Sequence, residues 1–465
     1  MFHKVLIANR GEIACRVIRT CRKLGIKTAA VYSDADVDAP HTKLADESHR
    51  VGPANAPESY MNIDKVVATA KACGAEAIHP GYGFLSENPR FSEAVSAAGL
   101  VFIGPPPAAT RALGTKIGAR KLVEKDGVST VPWTVVPADD PLKAEEASLK
   151  FGYPVVVKPS AGGGGIGTTV ARSPAELPEA MERATVLAKR FFDQPTIHIE
   201  KCIEFAKHIE LQVMLDQHGT AITFPERECS IQRRYQKVIE ESPSMAISHV
   251  LRARLADAAL RVMRAGGYYN VGTVENLVDA RNNYYFLEVN SRIQVEHPVT
   301  EMVTGLDIVE LQLQVASGRK LNVPREKLQP HGHSIEARVY AEDPETLFPS
   351  GGLITAYREP VGEGVRVDSG VAQGYEVTSF YDPLMAKLIV WAPTRDKAIE
   401  KMHAALDDYV IEGFPTNIPL VKRILSHPPF LNGEYHTNTL NNDFMAPVTP
   451  PPGTQALNDW WRYGR

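Results

Sequence analysis

Gly272-Thr273-Val274-Glu275-Asn276-Leu277-Val278-Asp279-Ala280-Arg281-Asn282-Asn283-Tyr284-Tyr285-Phe286-Leu287-Glu288-Val289-Asn290 holds two β-prone runs around a tetrapeptide of turn-forming residues. Residues 280–283 read as a four-residue hairpin loop that pairs Asp279 with Tyr284 and, carried back, Glu275 with Glu288. Two carboxylates directly opposite on one sheet face repel unless something positive lies between them. A divalent cation with oxygen ligands satisfies both, and Asn290, two residues past Glu288, falls on the same face. The competing reading turns both glutamates to solvent, as a one-residue slip of register would do.

The pattern runs on through Ser291-Arg292-Ile293-Gln294-Val295-Glu296. Every even position from Glu288 to Glu296 is polar or charged, while Val289, Ile293 and Val295 are apolar. If the backbone stays extended, one side presents Glu288, Asn290, Arg292, Gln294 and Glu296, and the other is anchored in a core. Beside a metal site, that row suits an anionic oxygen substrate, with Arg292 as bidentate partner and Glu296 as base. A solvated edge strand is the alternative.

Upstream, Ile209-Glu210-Leu211-Gln212-Val213 and Thr220-Ala221-Ile222-Thr223-Phe224 alternate in the same way and predict an antiparallel sheet with one covered face. Between them and the hairpin lies a strip from Glu226 to Glu241, dense in Arg, Lys, Gln and Glu, whose composition alone reads as a solvated loop or helix face. Further back, Tyr153-Pro154-Val155-Val156-Val157-Lys158 is a strand followed by the glycine run Gly162-Gly163-Gly164-Gly165. Glycines let backbone N–H groups approach phosphate oxygens, and a lysine on the preceding strand reaches the same phosphates. No Gly-Lys-Ser/Thr closes the run, so it is not a Walker A loop, and a glycine run by itself fits a surface loop equally well. Val131-Pro132-Trp133 and Pro137 mark a connection.

The first third alternates short apolar runs with helical patterns. Val5-Leu6-Ile7-Ala8 is a buried strand, the stretch from Glu12 to Arg19 a helix with one apolar stripe, and Thr28-Ala29-Ala30-Val31-Tyr32, Ala77-Ile78-His79 and Leu100-Val101-Phe102-Ile103 are later strands. Strands spaced by helices imply a parallel sheet with crossover connections. Gly11 stands without the G-x-G-x-x-G pattern, which excludes a nicotinamide site here.

At 465 residues the chain predicts two or three domains. A formal net charge of −4 argues against a nucleic-acid partner, and no apolar run approaches the roughly 20 residues that span a bilayer. Met1 runs at once into strand-like sequence, so no signal or transit peptide is expected. Five cysteines (Cys15, Cys21, Cys73, Cys202, Cys229) lack metal-type spacing and suit a reducing compartment, so the expected location is the cytoplasm.

Read together, these segments resemble the biotin carboxylases, within the ATP-grasp superfamily. The resemblance covers nearly all of the chain to about Leu440. It rests on Ile7-Ala8-Asn9-Arg10-Gly11-Glu12-Ile13-Ala14, His79-Pro80-Gly81-Tyr82-Gly83-Phe84-Leu85-Ser86-Glu87-Asn88, Gln232-Arg233-Arg234 with Gln236-Lys237-Val238, Arg292-Ile293-Gln294-Val295-Glu296-His297-Pro298-Val299-Thr300-Glu301, and Ala341-Glu342-Asp343-Pro344. It implies an α/β protein with the ATP-grasp fold. A parallel α/β N-terminal domain (1–112) and linker helices (113–129) would lead to a mobile lid (130–203). A C-terminal α+β domain (204–440) and an irregular tail (441–465) would follow.

Carried onto matching positions, the family's roles place Lys116 and Lys158 on the ATP phosphates under the loop Gly162, Gly163, Gly164 and Gly165. Glu200, Lys201, Cys202 and Ile203 become the adenine hinge, with His208, Gln232 and Tyr235 near the ribose and phosphates. Glu275 and Glu288 hold Mg2+ (or Mn2+), with Asn290 close by. Bicarbonate lies against Lys237, Arg292, Gln294 and the backbone of Val295, with Glu296 as its base, and Arg338 steadies the enolate of biotin. Ile166 and Thr169 replace common basic residues of the glycine loop, Thr115 a usual Asp, and Tyr235 a frequent His. No Ala-Met-Lys-Met-type segment for biotin attachment occurs, and about 25 residues after Leu440 are too few for a further domain. The implied partners are therefore a biotin carboxyl carrier protein and a carboxyltransferase subunit, in a homodimeric enzyme. Trp460-Trp461 would serve as a docking anchor, fold back on its own core or be disordered. Two rival readings are an ATP-grasp ligase with another nitrogen acceptor and a catalytically silent paralogue.

Overall fold

The computed structural model describes residues 1–159, 167–191, 196–233 and 236–444. Gly162 to Gly165, Ile166, Tyr235 and the Trp460-Trp461 pair lie outside the described residues.

β1 (Lys4–Ile7), β2 (Lys27–Ser33), β3 (Glu47–Gly52), β4 (Ala77–His79) and β5 (Val101–Phe102) form a parallel sheet in the order β3-β2-β1-β4-β5. The central β1 is fully buried at Val5, Leu6 and Ile7, because helices cover both faces of a parallel sheet. The helix Gly11–Lys23 turns Ile13, Ala14, Val17 and Ile18 onto it. Edge strand β3 escaped the sequence reading, since Glu47, His49 and Arg50 dilute its apolar signal.

Four strands make a second, antiparallel sheet in the order β6-β9-β7-β8: β6 (Trp133–Pro137), β7 (Val155–Pro159), β8 (Thr169–Ala171) and β9 (Thr196–Lys201). The segment around Trp133 and Pro137, expected as a connection, is strand β6. Its Thr134-Val135-Val136 core is β-branched, and Pro137 is tolerated because the strand lies at the sheet edge. Thr169 opens β8, opposite Val157.

The third sheet has nine strands. β10 (Lys207–Leu215), β11 (Ala221–Thr223), β12 (Arg227–Arg233), β13 (Gln236–Ser242), β14 (Asn270–Val278), β15 (Tyr284–Asn290) and β16 (His333–Tyr340) come first. Two short pairs flank the remainder, β17 (Gly352–Leu353) with β20 (Glu376–Val377) and β18 (Ala356–Arg358) with β22 (Val410–Glu412). β19 (Val365–Ser369) and β21 (Leu384–Ala392) complete the large sheet, ordered β15-β14-β10-β12-β13-β16-β21-β19 with β11 on β10.

Both faces of this sheet are covered, not one. Ile209, Leu211 and Val213 pack under the helix His249–Ala265, and Ile335, Ala337 and Val339 under the helix Arg395–Asp408. The opposite face is polar yet equally buried at Glu210, Gln212 and Glu336. The charged strip expected to be solvated is the pair of central strands β12 and β13, with Glu226, Arg227 and Glu240 at 0% exposure. Its charges are buried because they meet one another and charges from distant strands, a pairing that composition does not reveal. The helix Thr439–Asp443 carries regular structure past Asn441, where an irregular tail was expected.

The N-terminal sheet and the large sheet meet closely where β19 ends. A Cβ on Gly370 would lie 2.3 Å from the Glu12 backbone nitrogen and 2.6 Å from the Gly11 carbonyl carbon. Backbone cannot yield as a flexible side chain would. Gly370→Ala is therefore expected to lower stability by about 1–3 kcal/mol, seen as a reduced denaturant midpoint with unchanged m.

Candidate active site

The hairpin that opened the sequence reading forms, but by another route. Val278, not Asp279, pairs with Tyr284, and the loop has five residues, 279–283. Asp279 closes it by accepting hydrogen bonds from the backbone N–H groups of Arg281 and Asn283, both at 2.9 Å. An irregularity between Glu275 and Asn276 then leaves Leu287 as an extra residue, which restores Glu275 opposite Glu288. Glu210 on β10 pairs with Glu275 in turn, so three carboxylates form a row across β10, β14 and β15.

Lys237 on β13 makes this row tenable. Its Nζ lies 2.5 Å from Glu210 Oε2, 2.8 Å from Glu275 Oε1 and 2.5 Å from Glu296 Oε1. Arg227 Nε also bonds Glu210. Burial favours a neutral amine, but Glu210, Glu275 and Glu296 outweigh it and hold the Lys237 pKa well above the lysine range. Burial likewise pushes Glu275 upward, and Lys237 and His208 reverse it, leaving Glu275 well below the carboxylate range. His208 Nε2 stands 3.1 Å from Glu275 Oε2, and its Nδ1 accepts from the Gln232 amide at 3.1 Å.

The backbone is not extended to Glu296, as the parity reading required. β15 ends at Asn290, a turn follows, and Glu296 sits at the N-cap of the helix His297–Thr304. The even-numbered side chains still converge, because the turn folds them back over the sheet. Arg292 donates to Asn290 Oδ1 at 2.8 Å and to Gln294 Oε1 at 3.3 Å, while Gln294 Nε2 donates to Glu275 Oε1 at 2.9 Å. Ile293 enters the core. Lys387 Nζ donates to the Val295 carbonyl at 2.8 Å.

Glu296 is fully buried and bonded to Lys237 and, at 3.0 Å, to Arg338 Nη2. Burial alone would raise its pKa; Lys237, Arg338 and Arg227 overcome burial and hold it well below the usual range, so the carboxylate is ionised. Arg338 is also bound to Glu240 Oε1, 2.6 Å from its Nε.

On the second sheet, Lys158 Nζ lies 2.6 Å from Glu200 Oε1, and Arg120 and His198 hold the other oxygen of Glu200. Burial, reinforced by Lys116 and Arg120 and opposed by Glu200, lowers Lys158 to about 8. Lys116 begins the helix Lys116–Lys125, capped by Thr115 Oγ1 accepting from Gly118 N, and points its Nζ to within 3.9 Å of Glu288 Oε2. Lys201 turns its ammonium to the carbonyls of Gly152 and Tyr153, and Ile203 is half-buried.

Glu275, Glu288 and Asn290 offer only oxygen donors, two of them anionic, which fits a hard divalent cation. His208, Glu210 and Glu275 also lie close enough to hold an ion, but Lys237 already neutralises that cluster.

Sequence reading missed Glu210, Arg227, Glu240, Lys387, Glu12 and Glu87. Glu87 accepts from the Ser291 backbone N–H at 2.8 Å and from Arg292 Nε at 3.2 Å. It lay inside a quoted motif, yet a loop glutamate has no periodicity to mark its role. The others belong to strands or helices whose polar face was taken as solvated or left unread.

A small sheet bearing the buried Lys158, set against a large sheet lined with carboxylates, defines an ATP-grasp ligase. Family models agree along the chain: "Biotin carboxylase, N-terminal domain" over residues 1–110, "Carbamoyl-phosphate synthase L chain, ATP binding domain" over 115–323, and "Biotin carboxylase C-terminal domain" over 336–442. Biotin carboxylase 2 of Bacillus subtilis is 50% identical over 440 residues, 95% of this chain and 99% of that one. The structure of Campylobacter jejuni biotin carboxylase with a β-γ-ATP ligand superposes with a TM-score of 0.91 at 42% identity, covering 95% and 99% of the two chains. The biotin carboxylase domain dimer of Hydrogenobacter thermophilus 2-oxoglutarate carboxylase, with MgADP, ADP and bicarbonate, gives 0.91 at 43%, covering 95% and 97%. The chain belongs to the biotin carboxylase family.

Glu275 and Glu296 sit below their ordinary value of 4.5, so the stability they bring is present above that pH and is lost as pH falls. In Lys237→Met, burial acts on the same carboxylates without their main cation, and the sign reverses. The stability lost in Lys237→Met relative to the wild type, read from denaturant midpoints, should therefore shrink as pH falls from about 7 to 5.

Proposed function

We propose that this chain carboxylates biotin borne on a separate carrier protein, using ATP and bicarbonate, and that the side chains above perform the first half-reaction of a biotin-dependent carboxylase. The observation that carries this reading is an ionised Glu296, clamped by Lys237 and Arg338 next to Arg292.

Bicarbonate lies against Lys237, Arg292, Gln294 and the backbone of Val295. Glu296 takes its proton as a bicarbonate oxygen forms a bond to the γ-phosphorus of ATP and the bond to ADP breaks, giving carboxyphosphate. Mg2+ bound by Glu275 and Glu288, with Asn290 adjacent, supplies positive charge to the phosphate oxygens. Lys158 on the lid and Lys116 on the linker helix add to it. Lys158 gains from being preorganised by Glu200, which holds the amine in place before nucleotide arrives. The adenine lies at residues 200–203, with His208 and Gln232 toward the ribose and phosphates. Carboxyphosphate then breaks into carbon dioxide and phosphate, the phosphate takes the ureido proton of biotin, and the nitrogen bonds to carbon dioxide. Arg338 stabilises the enolate oxygen that develops on biotin.

We assign residues 1–112, 130–203 and 204–440 to the N-terminal, lid and C-terminal domains, supported by the three separate sheets. The partners we infer are a biotin carboxyl carrier protein, a carboxyltransferase subunit and a second copy of this chain. The pairing is supported by the dimer that the Hydrogenobacter thermophilus biotin carboxylase domain forms. Among the described residues no helix is long and apolar enough to cross a membrane, and all five cysteines are unbridged, which supports action in the cytoplasm.

The purified chain should hydrolyse ATP only with bicarbonate present, and faster when free biotin is added. Glu296→Gln keeps the size and removes the proton acceptor, so the bicarbonate-dependent rate should fall by about 10²–10⁴-fold. ATP hydrolysis indifferent to biotin would exclude biotin as acceptor.

A further inference from the structure

Behind Arg338 lies a second pair of acids to which the reaction above gives no role. Glu240 on β13 and Glu336 on β16 are direct cross-strand partners, both at 0% exposure. Glu240 uses Oε1 for Arg338, but its Oε2 and both carboxyl oxygens of Glu336 are buried with no hydrogen-bond partner. Three orphaned oxygens on two facing buried acids are unusual, and a proton shared between the two carboxyls would satisfy two of them.

The surrounding charges favour one proton. Lys387, opposite Arg338 on β21, is the nearest further cation, but its amine is engaged with the Val295 carbonyl, Glu12 at 3.1 Å and Asp368 at 3.9 Å. From β13 comes Lys237, already shared by three carboxylates. From β12 comes Cys229, a buried thiol whose pKa burial pushes well above its usual value. The helix His297–Thr304, packed on β13, β16 and β21, brings Glu296 at its N-cap, Glu301, and His297, which burial and then Lys387 keep neutral. No free cation faces the pair among the described residues. Burial raises Glu240 to about 7 despite Arg338, and raises Glu336 well above the carboxylate range.

We propose that Glu240 and Glu336 hold a single proton between them and that this singly charged pair positions Arg338 against Glu296. Glu336 carries the proton and donates it to Glu240 Oε2. Glu240 is thereby left with Oε1 for Arg338 Nε and Nη2, and Nη2 also reaches Glu296 Oε2. Were both acids ionised, their doubled charge would draw the guanidinium off Glu296 and away from the substrate side. Both glutamates act through Arg338 and are positioning residues. The effect on turnover rests on the role assigned above to Arg338; the shared proton does not.

Infrared spectra of the full-length chain at neutral pH test the proton directly. The wild type should show the C=O stretch of a buried protonated carboxyl, shifted in D2O and lost on raising the pH, and Glu336→Gln should lack it. In biotin-dependent ATP hydrolysis, Glu336→Gln keeps a donor to Glu240. It should stay near the wild-type kcat. Glu336→Ala removes the donor and should lower kcat about tenfold or more with the KM for ATP unchanged. Absence of the band from the wild type overturns the proposal, as does a band that persists unchanged in Glu336→Gln. If the chain proved unable to hydrolyse ATP with biotin, the spectrum would still decide the matter of the proton.

Discussion

One ammonium group makes the site possible. Cross-strand pairing sets Glu210, Glu275 and Glu288 in a row across three neighbouring strands, an arrangement that repels itself. Lys237 reaches from β13 to bond the first two and Glu296 besides, while Lys116 faces the last. Buried charges are tolerable only when paired and hydrogen-bonded, so the carboxylates that serve the chemistry are also the ones that lock the amine. The same contacts decide protonation: Glu296 stays ionised because Lys237, Arg338 and Arg227 oppose the effect of its burial.

The large sheet organises this by separating its faces. One face is aliphatic under the helices His249–Ala265 and Arg395–Asp408, and the other is a buried layer of ion pairs. The N-terminal sheet closes that layer from outside. Lys387 ties Glu12 to the Val295 carbonyl, and Arg16 on the same helix as Glu12 bonds Glu301 and Asp307. Gly370 lets the two backbones touch where they do. The N-terminal domain is therefore part of the wall around Glu296 as well as an independent sheet.

How much of this was legible depends on how local the signal was. The strand alternation of β10 and β14, the parallel βα pattern at the start and the Glu275–Glu288 facing were all readable from spacing. The facing came out correctly because two departures cancel: a loop one residue longer and an extra residue at Leu287. The even-numbered residues from Asn290 to Glu296 do converge, through a turn and a helix N-cap where an extended strand was expected. The strip from Glu226 to Glu241 was misread for a physical reason. A run of charges is solvated unless partners far along the chain neutralise it, and Arg227 finds Glu210 while Glu240 finds Arg338, 98 residues away.

The amino-acid sequence by itself determined most of the parallel βα pattern at the start, the strands β7, β10, β14 and β15, and which acids lie across from each other within one hairpin. These follow from side-chain period and turn chemistry over a few residues. Only the tertiary structure decided which charges are neutralised by which. Lys237 meets Glu296 across 59 residues and Lys387 meets Val295 across 92, contacts made by the order in which strands assemble into a sheet. A buried charge takes its pKa and its role from those neighbours, and strand order is not written in any local stretch of the chain.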